Sequence, residues 1–194
     1  LHLDWEQDEL TVRRYQRMAR SAKIDLASLR RLLGASLTPN ASLDDEGTER
    51  SLTYLCKSKA LCIVDSFRGA FRRAQENDST VYDHLAMLKR VSVKTGCVIL
   101  LIAHARKMSD DKDIRSSLRG SGAMFDASAT VYMLDGMKGK PTRVTNTKER
   151  NTGKLREDFG LRIVDETGPR TETSEPGDDD MDPEWGLHIE YLSQ

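Results

Sequence analysis

Three side chains able to hold a cation or move a proton each close a short, largely apolar run. Glu6 follows Leu1-His2-Leu3-Asp4-Trp5, Asp65 ends Leu61-Cys62-Ile63-Val64, and His104 ends Cys97-Val98-Ile99-Leu100-Leu101-Ile102-Ala103. A carboxylate closing a buried strand is suited to hold Mg²⁺ beside a nucleotide's phosphates, because the sheet fixes it while its tip stays wet. A second carboxylate, Glu6, suits polarisation of an attacking water, and a histidine donor suits contact with a phosphate oxygen. Each residue has an ordinary structural use on its own. Three strand ends carrying such groups together make the chemical case.

The two longer apolar runs suit strands covered on both faces of a parallel sheet. Between them Val81, Leu85, Leu88 and Val91 recur at three- and four-residue spacing, behind caps at Asp78 or Ser79 and ahead of Gly96, which predicts a crossover helix. In open α/β sheets ligands collect at the carboxyl ends of the strands, so Asp65 and His104 are expected to face one crevice.

The remaining elements follow from pattern. Residues 1–4 alternate like a short strand. Residues 10–22 predict a helix with Val12, Tyr15, Met18, Ala19 and Ala22 on one face and Arg13, Arg14, Arg17 and Arg20 largely on the others. Leu26, Leu29, Leu32 and Leu33 suggest a short helix, residues 35–48 a loop, and Leu52, Leu55 and Cys56 another short helix. Residues 105–122 are polar and without apolar period. A short helix at 123–127, a strand at 129–134, a turn at 136–141, a strand at 142–147, a basic turn at 148–154 and a hairpin return at 159–164 complete the core. Residues 166–184, rich in Asp, Glu, Thr, Pro and Gly, read as a disordered acidic linker, and 185–194 as a last edge strand.

At 194 residues the chain can bury one good core. The formal net charge is −1, but the last thirty residues carry ten of the 31 acidic side chains and one of the 30 basic ones, leaving residues 1–164 at +8. A basic body is compatible with a polyanionic partner. No apolar run approaches the roughly 20 residues of a membrane helix, and the acidic start lacks the basic region of a signal peptide, so a cytoplasmic location is expected. Cys56, Cys62 and Cys97 lack metal-ligand spacing and are expected to be reduced core thiols.

The ordered set of motifs resembles the ATPase core of RecA-like hexameric helicases, in the plasmid RepA-type and DnaB-type branch. Leu3-Asp4-Trp5-Glu6 resembles that family's strand with the catalytic glutamate, and Leu61-Cys62-Ile63-Val64-Asp65-Ser66 its Walker B strand. Residues 95–107 resemble the strand with the phosphate-sensing histidine, residues 118–134 the RGSG-type segment, and Thr147-Lys148-Glu149-Arg150-Asn151 the Lys-x-Arg-Asn turn. The resemblance covers residues 1–165. It implies an α/β RecA-like P-loop NTPase core, a largely parallel sheet flanked by helices with a C-terminal antiparallel hairpin.

It further implies Glu6 as general base, Asp65 as the carboxylate beside Mg²⁺, and Asp65, Ser66 and His104 at the nucleotide, with Arg150, helped by Lys148, as an arginine finger supplied to a neighbouring subunit. Lys107, Arg115 and Arg119 would meet single-stranded DNA in the channel of a homo-oligomeric, expectedly hexameric, ring. ATP would be the substrate. The sequence has no GxxxxGK[ST] loop, which in that family immediately precedes the strand at which this chain starts; truncation is the expected reason, and a fragment without the loop would not turn over ATP. Two alternatives stand beside this reading: a catalytically silent module of the same fold that binds DNA or a partner helicase, and a hydrolase using Ser66 or Ser121 with His104, which lacks the GxSxG elbow.

Overall fold

The computed structural model describes residues 1–7, 9–25, 27–28, 35–37, 41–73, 80–104, 122–136, 139–166 and 186–193. In chain order the elements are β1 (His2–Asp4), α1 (Glu9–Ser21), β2 (Ala35–Leu37), α2 (Thr48–Cys56), β3 (Leu61–Asp65), α3 (Phe67–Ala70), α4 (Thr80–Thr95), β4 (Val98–Ile102), α5 (Gly122–Ala127), β5 (Thr130–Asp135), β6 (Thr142–Glu149), β7 (Phe159–Glu166) and β8 (Gly186–Ser193). They form a parallel sheet in the order β2-β1-β3-β4 and an antiparallel sheet in the order β5-β6-β7-β8. The expected α/β architecture is present.

The crossover helix α4 buries Val81, Leu85, Leu88 and Val91, the positions its period selects, and Gly96 follows it with a positive φ of 72°. These residues pack with Leu52 and Cys56 of α2 against Leu3, Cys62 and Val64 of the sheet, with Ile99 and Leu101 at the margin. All three cysteines are free and buried in this core. Burial pushes the Cys56 thiol up to about 11, with the neighbouring Cys62 adding to the shift, so it stays protonated and unreactive near neutrality.

Four expectations need correction. Among the described residues the parallel sheet is covered on one face and only partly on the other, where Leu61, Val98 and Leu100 are 40%, 62% and 48% exposed because α1 packs over β1. An apolar run records what a strand can bury, not which helices reach it. In α1 the inward face is Thr11, Tyr15 and Ala19, while Val12 and Ala22 are exposed; in α2 Leu55 is exposed beside the buried Leu52 and Cys56. Residues 35–37, read as loop, form β2, which pairs with β1 in parallel register from His2↔Ala35 to Asp4↔Leu37. A three-residue strand held by backbone pairing leaves no side-chain period to read.

The antiparallel part is larger than the hairpin expected. β6 pairs with β5 and β7, and β7 with β8 along its whole length, from Phe159↔Ser193 to Glu166↔Gly186. Helix α1 is tied to this sheet by Arg17, which donates to Asp165 at 2.8 Å and to the Gly186 carbonyl at 3.2 Å. Positions 26, 29–34, 74–79, 105–121 and 167–185, including Lys107, Arg115, Arg119, Ser121, both caps named for α4 and most of the acidic segment, lie outside the described residues.

Candidate active site

Parallel register brings the predicted residues to one end of the sheet. Asp4 of β1 lies level with Asp65 of β3, and Asp65 level with Ile102 of β4, so Glu6, Asp65 and His104 leave adjacent strands at their carboxyl ends. The Trp5 N–H donates to the Asp65 carbonyl at 2.8 Å and extends the β1–β3 pairing one residue beyond the strands. Trp5 is anchored at its other end, where Nε1 donates to the Ala41 carbonyl at 2.9 Å. Glu6 therefore starts from a fixed backbone.

Ser66 N-caps α3, accepting from the Gly69 N–H at 3.4 Å, and its own hydroxyl donates to Glu6 Oε1. The peptide between Asp65 and Ser66 is cis. His104 Nε2 lies 3.3 Å from Glu6 Oε1 and 3.4 Å from Oε2. An ionised carboxylate only accepts, so this approach requires the proton on Nε2. Ser66 is fully buried and bonded to Glu6, not to the imidazole, which removes the arrangement a serine nucleophile needs.

Behind these residues lies a polar layer that motif reading missed. Asp4 is buried; its Oδ1 accepts the N–H groups of Glu6 at 2.7 Å and Gln7 at 3.0 Å, and its Oδ2 accepts the Thr11 hydroxyl. Burial pushes the Asp4 carboxyl up, but the three hydrogen bonds outweigh it and hold the group below the usual range. Asp65 moves the other way: burial and then the Asp4 charge raise it, with His2 opposing. The signal available in the sequence was the alternation of residues 1–4, which places His2 and Asp4 on the face that also carries Asp65.

Crowded carboxylates with one member pushed up are a setting that a bound cation relieves. No group of three or more metal-ligating side chains occurs among the described residues. Asp65 alone, completed by phosphates and water, fits the way Mg²⁺ is held beside nucleotides.

Lys148 and Arg150 are placed elsewhere, at the C-terminal end of α5. Lys148 Nζ donates to the carbonyls of Phe125 and Asp126 and sits 4.8 Å over the Phe125 ring; Arg150 donates to the Asp126 carbonyl at 2.6 Å. Cations at a helix C-terminus complement its exposed carbonyls. Asn146, buried in β6, sets their position: its amide donates to the Val131 and Lys148 carbonyls and accepts the Arg156 N–H.

A family model described as an AAA domain matches residues 1–110, which contain every strand of the parallel sheet and its crossover helix. The chain belongs to this AAA domain family. Among solved structures it is similar to the RadB recombinase crystal structure, with a TM-score of 0.60 and 17% identity over 84% of this chain and 74% of that one. At that identity the likeness establishes the fold, which is RecA-like. No curated protein matches the chain. Among the described residues, no helix is long and apolar enough to cross a membrane.

Proposed function

We propose that this AAA domain protein is a Mg²⁺-dependent ATPase that acts on DNA, of the ring-forming helicase type. The observation that carries the reading is the meeting of Glu6, Asp65, Ser66 and His104 at the carboxyl ends of β1, β3 and β4. Asp65 would hold Mg²⁺, which supplies neutralisation of charge on the phosphates when bound. Glu6 takes the proton of the attacking water, and Ser66 and His104 fix its carboxylate. His104, already facing Glu6, is placed to exchange that contact for one to a phosphate oxygen and so link the phosphate's presence to the base.

Arg150 and Lys148 leave their own helix carbonyls to reach a neighbouring subunit's nucleotide. The DNA role is supported by the fold shared with a protein titled a recombinase and by the basic body of the chain. Lys107, Arg115 and Arg119 are the proposed DNA contacts.

The test is ATP turnover by the full-length protein with and without single-stranded DNA. DNA-stimulated turnover that Glu6→Gln and Arg150→Ala both abolish supports the reading. The second reading is a silent module that binds DNA or a partner helicase, and it gains if the full-length protein also lacks a GxxxxGK[ST] loop; a folded full-length protein that binds DNA without turnover would establish it.

A further inference from the structure

His2 is a 7%-exposed histidine whose Nε2 has no hydrogen-bond partner among the described residues. Such a group is expected to be satisfied in a native structure or to serve a purpose. Its Nε2 points to Asp65 Oδ2 at 3.7 Å, slightly beyond direct bonding distance. The other carboxylates here are already held: Asp4 by Thr11 and two main-chain N–H groups, Glu6 by Ser66 and His104. Among the described residues, the Asp65 carboxylate has only His2 in this position.

The far side of the ring supplies a partner for the other nitrogen. His2 Nδ1 lies 3.2 Å from the Tyr15 hydroxyl of α1, and the two rings meet edge to face at 5.8 Å. With Tyr15 O–H donating to Nδ1, the proton stands on Nε2 and faces the carboxylate. Burial, then the charges of Asp4 and Asp65, push the Tyr15 phenol up, which keeps its hydroxyl protonated and able to donate.

We propose that His2 is a positioning residue that acts through Asp65: its Nε2–H takes Oδ2 and leaves the other carboxylate oxygen for the cation beside the phosphates. Partners of metal-ligating side chains that do not themselves touch the metal set ligand orientation in this way. The inference rests on the proposed role of Asp65 as the Mg²⁺-side carboxylate.

The test is calorimetry on the full-length protein with ADP, using Mn²⁺ as the probe cation, and separately with ADP in a chelator. His2→Ala is expected to weaken Mn²⁺ binding by about 10- to 100-fold while leaving chelator-state ADP affinity unchanged. His2→Gln, which keeps an N–H donor near the Nε2 position, restores most of it, and Tyr15→Phe loses part. Unchanged Mn²⁺ affinity in His2→Ala overturns the inference, as does equal loss in the Ala and Gln variants together with lost chelator-state ADP affinity. Should His2→Ala fail to fold, Tyr15→Phe decides: wild-type Mn²⁺ affinity in it overturns the proposal. Asp65→Asn separates the two levels. Mn²⁺ binding that survives Asp65→Asn removes the role of Asp65 itself; binding lost in Asp65→Asn but kept in His2→Ala removes only the role of His2.

Discussion

Glu6 Oε1 lies 3.3 Å from His104 Nε2, although 98 positions separate the two residues. The same oxygen accepts the Ser66 hydroxyl. A carboxylate held by two donors from two neighbouring strands is oriented before any substrate arrives, which is the arrangement a general base needs. Glu6→Gln should lower ATP turnover by about 10²–10⁴ with nucleotide affinity retained, since general-base contributions run in that range. Single-turnover hydrolysis alongside ADP titration reads both quantities, and undiminished turnover would remove Glu6 from the chemistry.

Arg150 presents a choice between two outcomes. It caps α5 through the Asp126 carbonyl at 2.6 Å, a contact expected to contribute roughly 0.3–1 kcal/mol. As a finger supplied to a neighbour it would instead contribute roughly 10³–10⁵ in rate. Arg150→Ala subunits mixed with Glu6→Gln subunits should regain turnover at their shared interfaces if the finger acts between chains. No recovery, with only a slightly lowered thermal midpoint, would leave Arg150 as a helix cap.

Asn146 is buried and all its hydrogen-bonding groups are used, two by main-chain carbonyls and one by a main-chain N–H. Asn146→Ala would leave the Val131 and Lys148 carbonyls and the Arg156 N–H without it, a loss of about 1–3 kcal/mol. Urea unfolding measures this, and a loss of a few tenths would mean that water replaces the amide readily.

Gly69 of α3 faces Trp5 so closely that an added Cβ would meet the Trp5 Cβ at 2.7 Å. Because Trp5 is held at both its main chain and its indole, the strain passes to the segment that bears Glu6. Gly69→Ala is expected to cost about 1–3 kcal/mol in stability and to lower turnover beyond what lost folding explains. Turnover per folded molecule equal to the wild type would show that Trp5 yields without moving Glu6.

The pH dependence of stability has a defined sign at Asp4. Its folded pKa lies below the ordinary 3.8, so the unfolded chain binds the proton more tightly and the contribution is fully present above 3.8. It is lost as pH falls through the folded value. Asp65, raised by burial and by the charge of Asp4, works in the opposite sense as pH rises past 3.8. Asp4→Asn should flatten the acid limb of the urea midpoint as pH falls below 3.8, while an unaltered limb would assign acid unfolding to other carboxylates.

Much of the fold is written locally. The apolar runs before Asp65 and His104 and the period of Val81, Leu85, Leu88 and Val91 specify a strand, a crossover helix and a strand, because each pattern matches the geometry of one element. Element type then placed Glu6, Asp65 and His104 at strand ends without knowledge of any contact. The strands expected at 142–147, at 159–164 as a hairpin return and at 185–194 correspond to β6, β7 and β8 of the second sheet.

What the sequence could not decide depends on register and on neighbours distant in the chain. Residues 35–37 have no side-chain period, so only backbone pairing with β1 makes them a strand. Whether Leu61, Val98 and Leu100 are covered depends on where α1 packs, and it packs over His2 and Asp4 instead. The partnership of His2 with Asp65 and Tyr15, and that of Ser66 with both α3 and Glu6, exist only because parallel pairing levels β1 with β3. A sequence sets which groups stand at the ends of strands; the order and register of the strands decide which of those groups meet.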